Sequence, residues 1–286
     1  MESNFQFLGK SIWYRTEGRG DGLPIILLHG GPGAPSNYLN PLKNLADNRQ
    51  VIFFDQLGCG RSPAELEESD INVDFFVEQV EALRIHLGLD SFIIYGQSWG
   101  GALGLEYYLK YPQFVQGIIF SSPLISTELW LKDMEKLLKI LPKNLLNEVK
   151  SAGERNDFTS EEYQMAMNIF YENYVSRKLP WSEDILKTFD NFGGQVYNIM
   201  WGPSEFQPIG LLKNFDRFNE LKKITIPTLF IIGQYDEVLP ETAILFQNAV
   251  PNSELKIISD AAHLTMQDNT VEDLTAIREF LMINDL

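Results

Sequence analysis

Phe92-Ile93-Ile94-Tyr95-Gly96-Gln97-Ser98-Trp99-Gly100-Gly101 decides the fold of this chain. Four apolar residues of strand length run into Gly-x-Ser-x-Gly, and an apolar helical run, Leu103 to Tyr111, follows until Pro112 stops it. A turn that joins a strand to a helix this tightly needs small residues around the serine, and it lifts the hydroxyl above the edge of a sheet. A bare Gly-x-Ser-x-Gly can be an ordinary glycine-rich turn. The strand before it and the helix after it favour an exposed nucleophile at Ser98.

Short apolar runs flank this stretch on both sides: Ile25 to Leu28, Val51 to Phe54, Ile118 to Phe120 and Thr228 to Ile232. Continuous apolar runs of this length suit strands covered on both faces. Phe76, Val80, Leu83 and Leu87 recur at helical spacing between two of them and share one helix face. Phe5 to Leu8 and Ile12 to Thr16 predict a hairpin, while Thr242 to Ala249, Leu255 to Ile258 and Val271 to Met282 continue as helix, strand and terminal helix. Strands alternating with helices predict an α/β fold, a mostly parallel sheet wrapped by helices. From Leu124 to Pro208 the alternation lapses into Lys, Glu, Leu and Met at helical spacing. The expected organisation is a catalytic domain of residues 1–123 and 209–286 with a helical cap, 124–208, inserted over the carboxyl ends of the strands, where sites in open α/β sheets lie.

A serine nucleophile needs a base, and the chain has three histidines. His86 falls on a helix, and His29 opens the glycine-rich run His29-Gly30-Gly31-Pro32-Gly33. His263 follows the last strand and precedes the terminal helix, the place for a base that takes the Ser98 proton and returns it to the leaving group. Asp236, just after the strand Thr228 to Ile232, is the expected orienting carboxylate; Asp260, three residues before His263, suits a loop-shaping role. The order Ser98, Asp236, His263 is that of α/β-hydrolase triads. The expected oxyanion donors are the backbone N–H of Trp99, next to the nucleophile, and that of Gly31. The same glycine-rich run lacks the lysine and spacing of a phosphate-binding loop.

Composition narrows the rest. Apolar residues make up 44% and the net charge is −16, which argues for a packed globular protein and against nucleic acid or anionic membrane as partners. Seven acids and no Lys or Arg between Ser62 and Leu83 suit a solvated loop and helix face. One cysteine, Cys59, excludes an internal disulfide and suits a reducing compartment. With so few Cys and His, no metal and no cofactor is expected. Met1 to Lys10 lacks the pattern of a signal peptide, and no apolar run nears the roughly 20 residues that span a bilayer, so a cytoplasmic location is expected.

Four segments together resemble the proline iminopeptidases: His29-Gly30-Gly31-Pro32-Gly33, Asp55-Gln56-Leu57-Gly58-Cys59-Gly60-Arg61-Ser62, Gly96-Gln97-Ser98-Trp99-Gly100-Gly101, and Gly202-Pro203-Ser204-Glu205-Phe206. The last is the most discriminating. The resemblance spans essentially the whole chain. It implies the α/β-hydrolase fold and a serine aminopeptidase that releases an N-terminal residue, preferentially proline. Its partners would be short peptides or amino-acid amides with a free N-terminus. It also implies that Glu205 and Glu237 hold the substrate's α-amino group, and that Cys59 lies near the site, where bulky thiol reagents would block access. An apolar pocket is expected from Trp99 and from cap aromatics drawn from Phe170, Tyr174, Trp201 and Phe206. Relatives of the same build imply alternatives: an amidase, an esterase or lactonase, or a ligand-binding receptor that keeps the fold. Enzymes of the fold that act on haloalkanes or epoxides carry aspartate where Ser98 stands.

Overall fold

The computed structural model describes every residue from Met1 to Leu286. Eight strands form one sheet in the order β1-β2-β4-β3-β5-β6-β7-β8: β1 (Glu2–Phe7), β2 (Lys10–Glu17), β3 (Gly22–Leu28), β4 (Arg49–Phe54), β5 (Phe92–Gln97), β6 (Val115–Ser121), β7 (Thr228–Gly233) and β8 (Ser253–Ile258). β1 and β2 pair as the predicted hairpin through Leu8 and Gly9, both at positive φ as a two-residue hairpin turn requires. β2 runs antiparallel to β4, and every pair from β4 through β8 is parallel. This is the mostly parallel sheet wrapped by helices that the alternation predicts, and it agrees with the fold the resemblance implies.

The period of two along each strand explains why the runs are apolar throughout. Ile26, Leu28, Ile94, Ile118 and Phe230 face one core, shared with α1 (Val73–Leu87), α2 (Trp99–Lys110) and α8 (Pro240–Ala249). Their neighbours Ile25, Leu27, Ile93, Ile119 and Leu229 face the other, shared with the 3₁₀ segment Ser36–Leu45 and the terminal helix α10 (Thr270–Ile283). With both faces covered, each large strand residue contributes about 1.5–3 kcal/mol by burial. The sequence reading started α2 at Leu103 and passed over Ser36–Leu45. Trp99 is in fact the first residue of α2, and a Pro41 inside Ser36–Leu45 hides that segment's helical period.

No sheet strand occurs between Ser121 and Thr228. This stretch carries α3 (Thr127–Leu137), α4 (Lys143–Arg155), α5 (Glu161–Tyr174), α6 (Glu183–Asp190) and α7 (Gly194–Met200). Ser126, Ser160 and Ser182 cap α3, α5 and α6 through their hydroxyls. The inner faces of α3, α4, α5 and α7, including Trp130, Met134, Tyr163, Phe170 and the following Trp201, join the first core, and Ile185 of α6 joins the second. A short α9 (Thr265–Asp268) follows the loop after β8. In the acidic stretch, Asp74 and Glu78 pair with Lys110 and Glu81 with Arg84, while Glu65, Glu67, Glu68 and Asp70 face solvent.

Candidate active site

β5 ends in a backbone contortion that only a few residue types permit. Ser98 sits at φ 54° and ψ −120°, a strained conformation costing about 1–3 kcal/mol. The surroundings hold it there: its N–H donates to Ser121 O at 3.0 Å, and its carbonyl accepts from Gly101 N at 2.8 Å and Leu124 N at 3.0 Å. A Cβ on Gly96 would lie 2.3 Å from the Gly100 carbonyl oxygen, and one on Gly100 would lie 1.9 Å from that of Leu28. Both glycines are therefore steric requirements of the turn, and Ser98 emerges into a cavity.

The loop after β8 brings His263 to the same cavity. Its Nδ1 lies 2.9 Å from Asp236 Oδ1. A proton on Nδ1 leaves the Nε2 lone pair available as a base. Asp236 is fully buried on the turn after β7 and accepts three further bonds, from Gly233 N at 2.9 Å, Val238 N at 3.1 Å and the Ser122 hydroxyl. Ser122, at positive φ just beyond β6, also donates to the His263 carbonyl at 3.2 Å. It ties carboxylate and histidine loop together, a role the sequence reading missed. Only its position at the carboxyl end of the strand between β5 and β7 could have signalled it. Asp260 lies exposed in the loop at φ 54°, its N–H bonded to Gln234, as a loop-shaping residue should. His86 lies on α1 outside the cavity, stacked on Phe5.

Behind Ser98, His29-Gly30-Gly31 turns under Gly31 at φ 105°, where a Cβ would lie 2.5 Å from Gly33 N. The Gly31 N–H has no partner within the chain. Trp99 opens α2, so its N–H is among the first-turn donors that a helix leaves unpaired. The histidine of this run is structural. His29 Nε2 accepts from Gln56 N at 2.9 Å, and burial pushes its pKa down, keeping the ring neutral. The Gln56 side chain donates to His29 O at 3.0 Å and accepts from the Trp99 indole at 2.9 Å, which locks the glycine-rich loop to the elbow. Next to it, burial alone would raise the Asp55 pKa. Bonds from Arg61 Nε at 2.7 Å and Nη2 at 2.9 Å outweigh that and hold it low. The run from Asp55 to Ser62 is thus a brace for the loop.

The Trp99 side chain is not part of the cavity wall: it is fully buried, edge-on to Phe76 at 5.8 Å, because the first helical turn points it back into the core. Cys59 lies close to the site, beneath the glycine-rich loop, but does not open to the cavity: it is buried, its Sγ 3.2 Å from Gln56 O and 3.6 Å from His29 Nε2, and burial raises its pKa well above the usual thiol value.

The cavity has a volume of about 530 Å³ and is bordered by Gly31, Ser98, His263, Glu205 and Glu237. Its apolar wall comes from Met167, Tyr171, Val175, Phe189 and Phe192. Phe170, Tyr174, Trp201 and Phe206 do not border it: Phe170, Trp201 and Phe206 are buried among the helices, and Tyr174 meets the site through its backbone oxygen, which accepts from His263 N at 3.0 Å. Glu205 is half-buried, open to the cavity and bonded by the Tyr197 hydroxyl at 2.7 Å; burial raises its pKa in spite of that bond. Glu237 is buried, and its Oε1 has no hydrogen-bond partner. Burial, then the charges of Glu205 and Asp236, raise its pKa well above the usual value. No Lys or Arg pairs with either glutamate. The cavity thus holds two carboxyls that no Lys or Arg of the chain neutralises, and a positive group placed between them would favour their ionised forms. No cluster of three or more His, Cys, Asp or Glu could hold a metal ion, and no helix is long and apolar enough to cross a membrane.

The sequence model of the alpha/beta hydrolase fold matches residues 24–270. The chain is 39% identical to the proline iminopeptidase of Heyndrickxia coagulans over 276 residues, which cover 96% of this chain and 95% of that protein. The chain belongs to the proline iminopeptidase family. The proline iminopeptidase of Saccharolobus solfataricus is 37% identical, covering 96% of this chain and 90% of that one. Among solved structures, the proline iminopeptidase of Mycobacterium smegmatis superposes with a TM-score of 0.92 at 28% identity, over 100% of this chain and 99% of that one.

Proposed function

We propose that the protein is a serine aminopeptidase releasing an N-terminal residue, preferentially proline, from short peptides, with the helical segment 124–208 as a cap over the site. Ser98 Oγ attacks the carbonyl carbon of the first peptide bond and its proton passes to His263 Nε2, while Asp236 holds the ring. The oxyanion accepts from the Gly31 and Trp99 N–H groups. His263 then gives the proton to the departing amine as the C–N bond breaks, leaving an acyl-Ser98 ester. Water repeats the sequence and restores Ser98. Kinship with the proline iminopeptidases supports the proline preference.

Glu205 and Glu237 carry this reading: both face the cavity of Ser98 and His263, and neither is paired with a Lys or Arg. A protonated α-amine fills that vacancy, and the distance from amine to carbonyl then selects the first peptide bond. Two charge-assisted bonds at about 1.5–3 kcal/mol each favour a free amine over an acylated one by on the order of 10²–10⁴. Proline p-nitroanilide, its N-acetyl analogue and Ser98→Ala test this together. Cleavage of the free amine alone, lost in the variant, is the expected result. Equal cleavage of both compounds removes the amine anchor and favours an esterase or amidase of the same fold. No turnover of either leaves the ligand-binding receptor.

A further inference from the structure

Glu237 touches the catalytic base as well as the amine subsite. Its Oε2 lies 3.5 Å from His263 Nε2, the ring nitrogen that must accept the Ser98 proton; this is an ion-pair distance, a few tenths of an ångström longer than a hydrogen bond, which a small turn of the side chain would close. Asp236, the preceding residue, is pinned by four donors. Glu237 Oε1 has none, so hydrogen bonds hold this carboxyl less firmly than its neighbour. The ionisable groups around Glu237 are Asp236 on its own turn, His263 on the loop after β8, Glu205 beyond α7, Tyr197 on α7 and Tyr171 on α5. None of these except His263 can offset a negative charge, and burial favours the protonated carboxyl.

We propose that Glu237 gates the catalytic base: with the amine subsite empty, its carboxyl shares a proton with His263 Nε2, and the substrate's amino group draws it away and frees that nitrogen for Ser98. The proposal rests on the amine-anchoring role of Glu205 and Glu237 given above. Whether the shared proton sits on oxygen or nitrogen, the Nε2 lone pair is engaged and Ser98 cannot be activated. A substrate bound as the neutral amine takes that proton from Glu237 and becomes the ammonium ion between the two carboxylates. A substrate arriving as ammonium releases one proton to solvent. In both cases His263 is left neutral, Glu237 anionic and the charges balanced. The device confines nucleophilic serine to complexes that contain a free N-terminus, which spares acylated peptides and esters that happen to enter.

The test uses the wild-type protein, p-nitrophenyl acetate as an acyl donor with no amine, and pyrrolidine as an amine with no scissile bond. The rate of the p-nitrophenol burst, corrected for the reaction in Ser98→Ala, reports acylation of Ser98. Pyrrolidine should accelerate the burst saturably by about tenfold or more, since an engaged general base forfeits much of its usual contribution. In Glu237→Ala the burst without pyrrolidine should already be fast, and pyrrolidine should no longer accelerate it. If pyrrolidine competes with proline p-nitroanilide in the wild type yet slows or leaves unchanged the acetate burst, the gate is refuted and the amine anchor stands. If pyrrolidine does not compete and the N-acetyl anilide is cleaved as fast as the free amine, the anchor itself is refuted and the gate with it.

Discussion

Asp273 gives the protein a pH-dependent stability that can be worked out from its surroundings. It lies in the first turn of α10, fully buried, with Oδ1 accepting from the Thr265 hydroxyl at 2.7 Å and Oδ2 without a partner. The Tyr95 and Ser121 hydroxyls are also buried and unpartnered. Burial pushes the Asp273 carboxyl up to about 7 from 3.8, the Thr265 bond opposing only in part. The native state therefore keeps a proton that the unfolded chain releases near pH 4. The stabilisation is fully present below that value and is lost as pH rises towards 7. Three units at about 1.4 kcal/mol each make about 4 kcal/mol in all, and about 3 kcal/mol of it falls between pH 5 and 8.5. Asp273→Asn keeps the acceptor for Thr265 and cannot ionise. Urea midpoints of both proteins at several pH values give the difference, which cancels every other titrating group. The variant should gain on the wild type by about 3 kcal/mol between pH 5 and 8.5. A difference that stays constant over that range would mean that Asp273 is already ionised in the folded protein.

Other residues allow shorter tests. Ser122→Ala removes one of four donors to Asp236, and steady-state kinetics with proline p-nitroanilide should find kcat down on the order of 10- to 100-fold with KM little changed, for a bond of roughly 1.5–3 kcal/mol to a charged group. Tyr197→Phe removes the bond that lowers the Glu205 pKa, so Glu205 stays protonated to higher pH. KM for a free-amine substrate should rise, and the penalty should shrink as pH increases. Cys59 should react with Ellman's reagent at least about 100-fold more slowly in the native protein than in urea, because burial disfavours the thiolate. Fast labelling of the native protein would contradict its placement beneath the glycine-rich loop.

The sheet was legible because local and tertiary signals coincide. Every residue of β5 is buried on a strand paired on both sides, so the apolar run needs no partner to be recognised. The glycines of the elbow are fixed by contacts to the chain's own backbone, and their spacing together with the strand before and the helix after announces the turn. Side-chain direction was not legible. Trp99 sits beside the nucleophile in sequence, yet its helical position sends the indole to Gln56 and Phe76. The aromatic positions in α5 illustrate the same difficulty. Phe170 and Tyr171 are adjacent in sequence, and one enters the core while the other borders the cavity, a choice made by where α5 packs.

Ser122 and the brace from Asp55 to Ser62 share a logic that only the assembled sheet exposes. The proposed triad of Ser98, Asp236 and His263 must be held on three loops that leave three strands, β5, β7 and β8, and no local pattern can fix their mutual distances. Ser122 leaves β6, between β5 and β7, and spans Asp236 and the His263 carbonyl with one hydroxyl. Gln56 leaves β4 and spans His29 and the Trp99 indole with one amide. Each strand of the neighbourhood thus contributes either a reacting group or a group that fixes the distance between two others. Substituting such a positioning residue should move kcat more than KM, because a misplacement of about 1 Å can cost on the order of a hundredfold in rate while the proposed amine contacts at Glu205 and Glu237 are untouched.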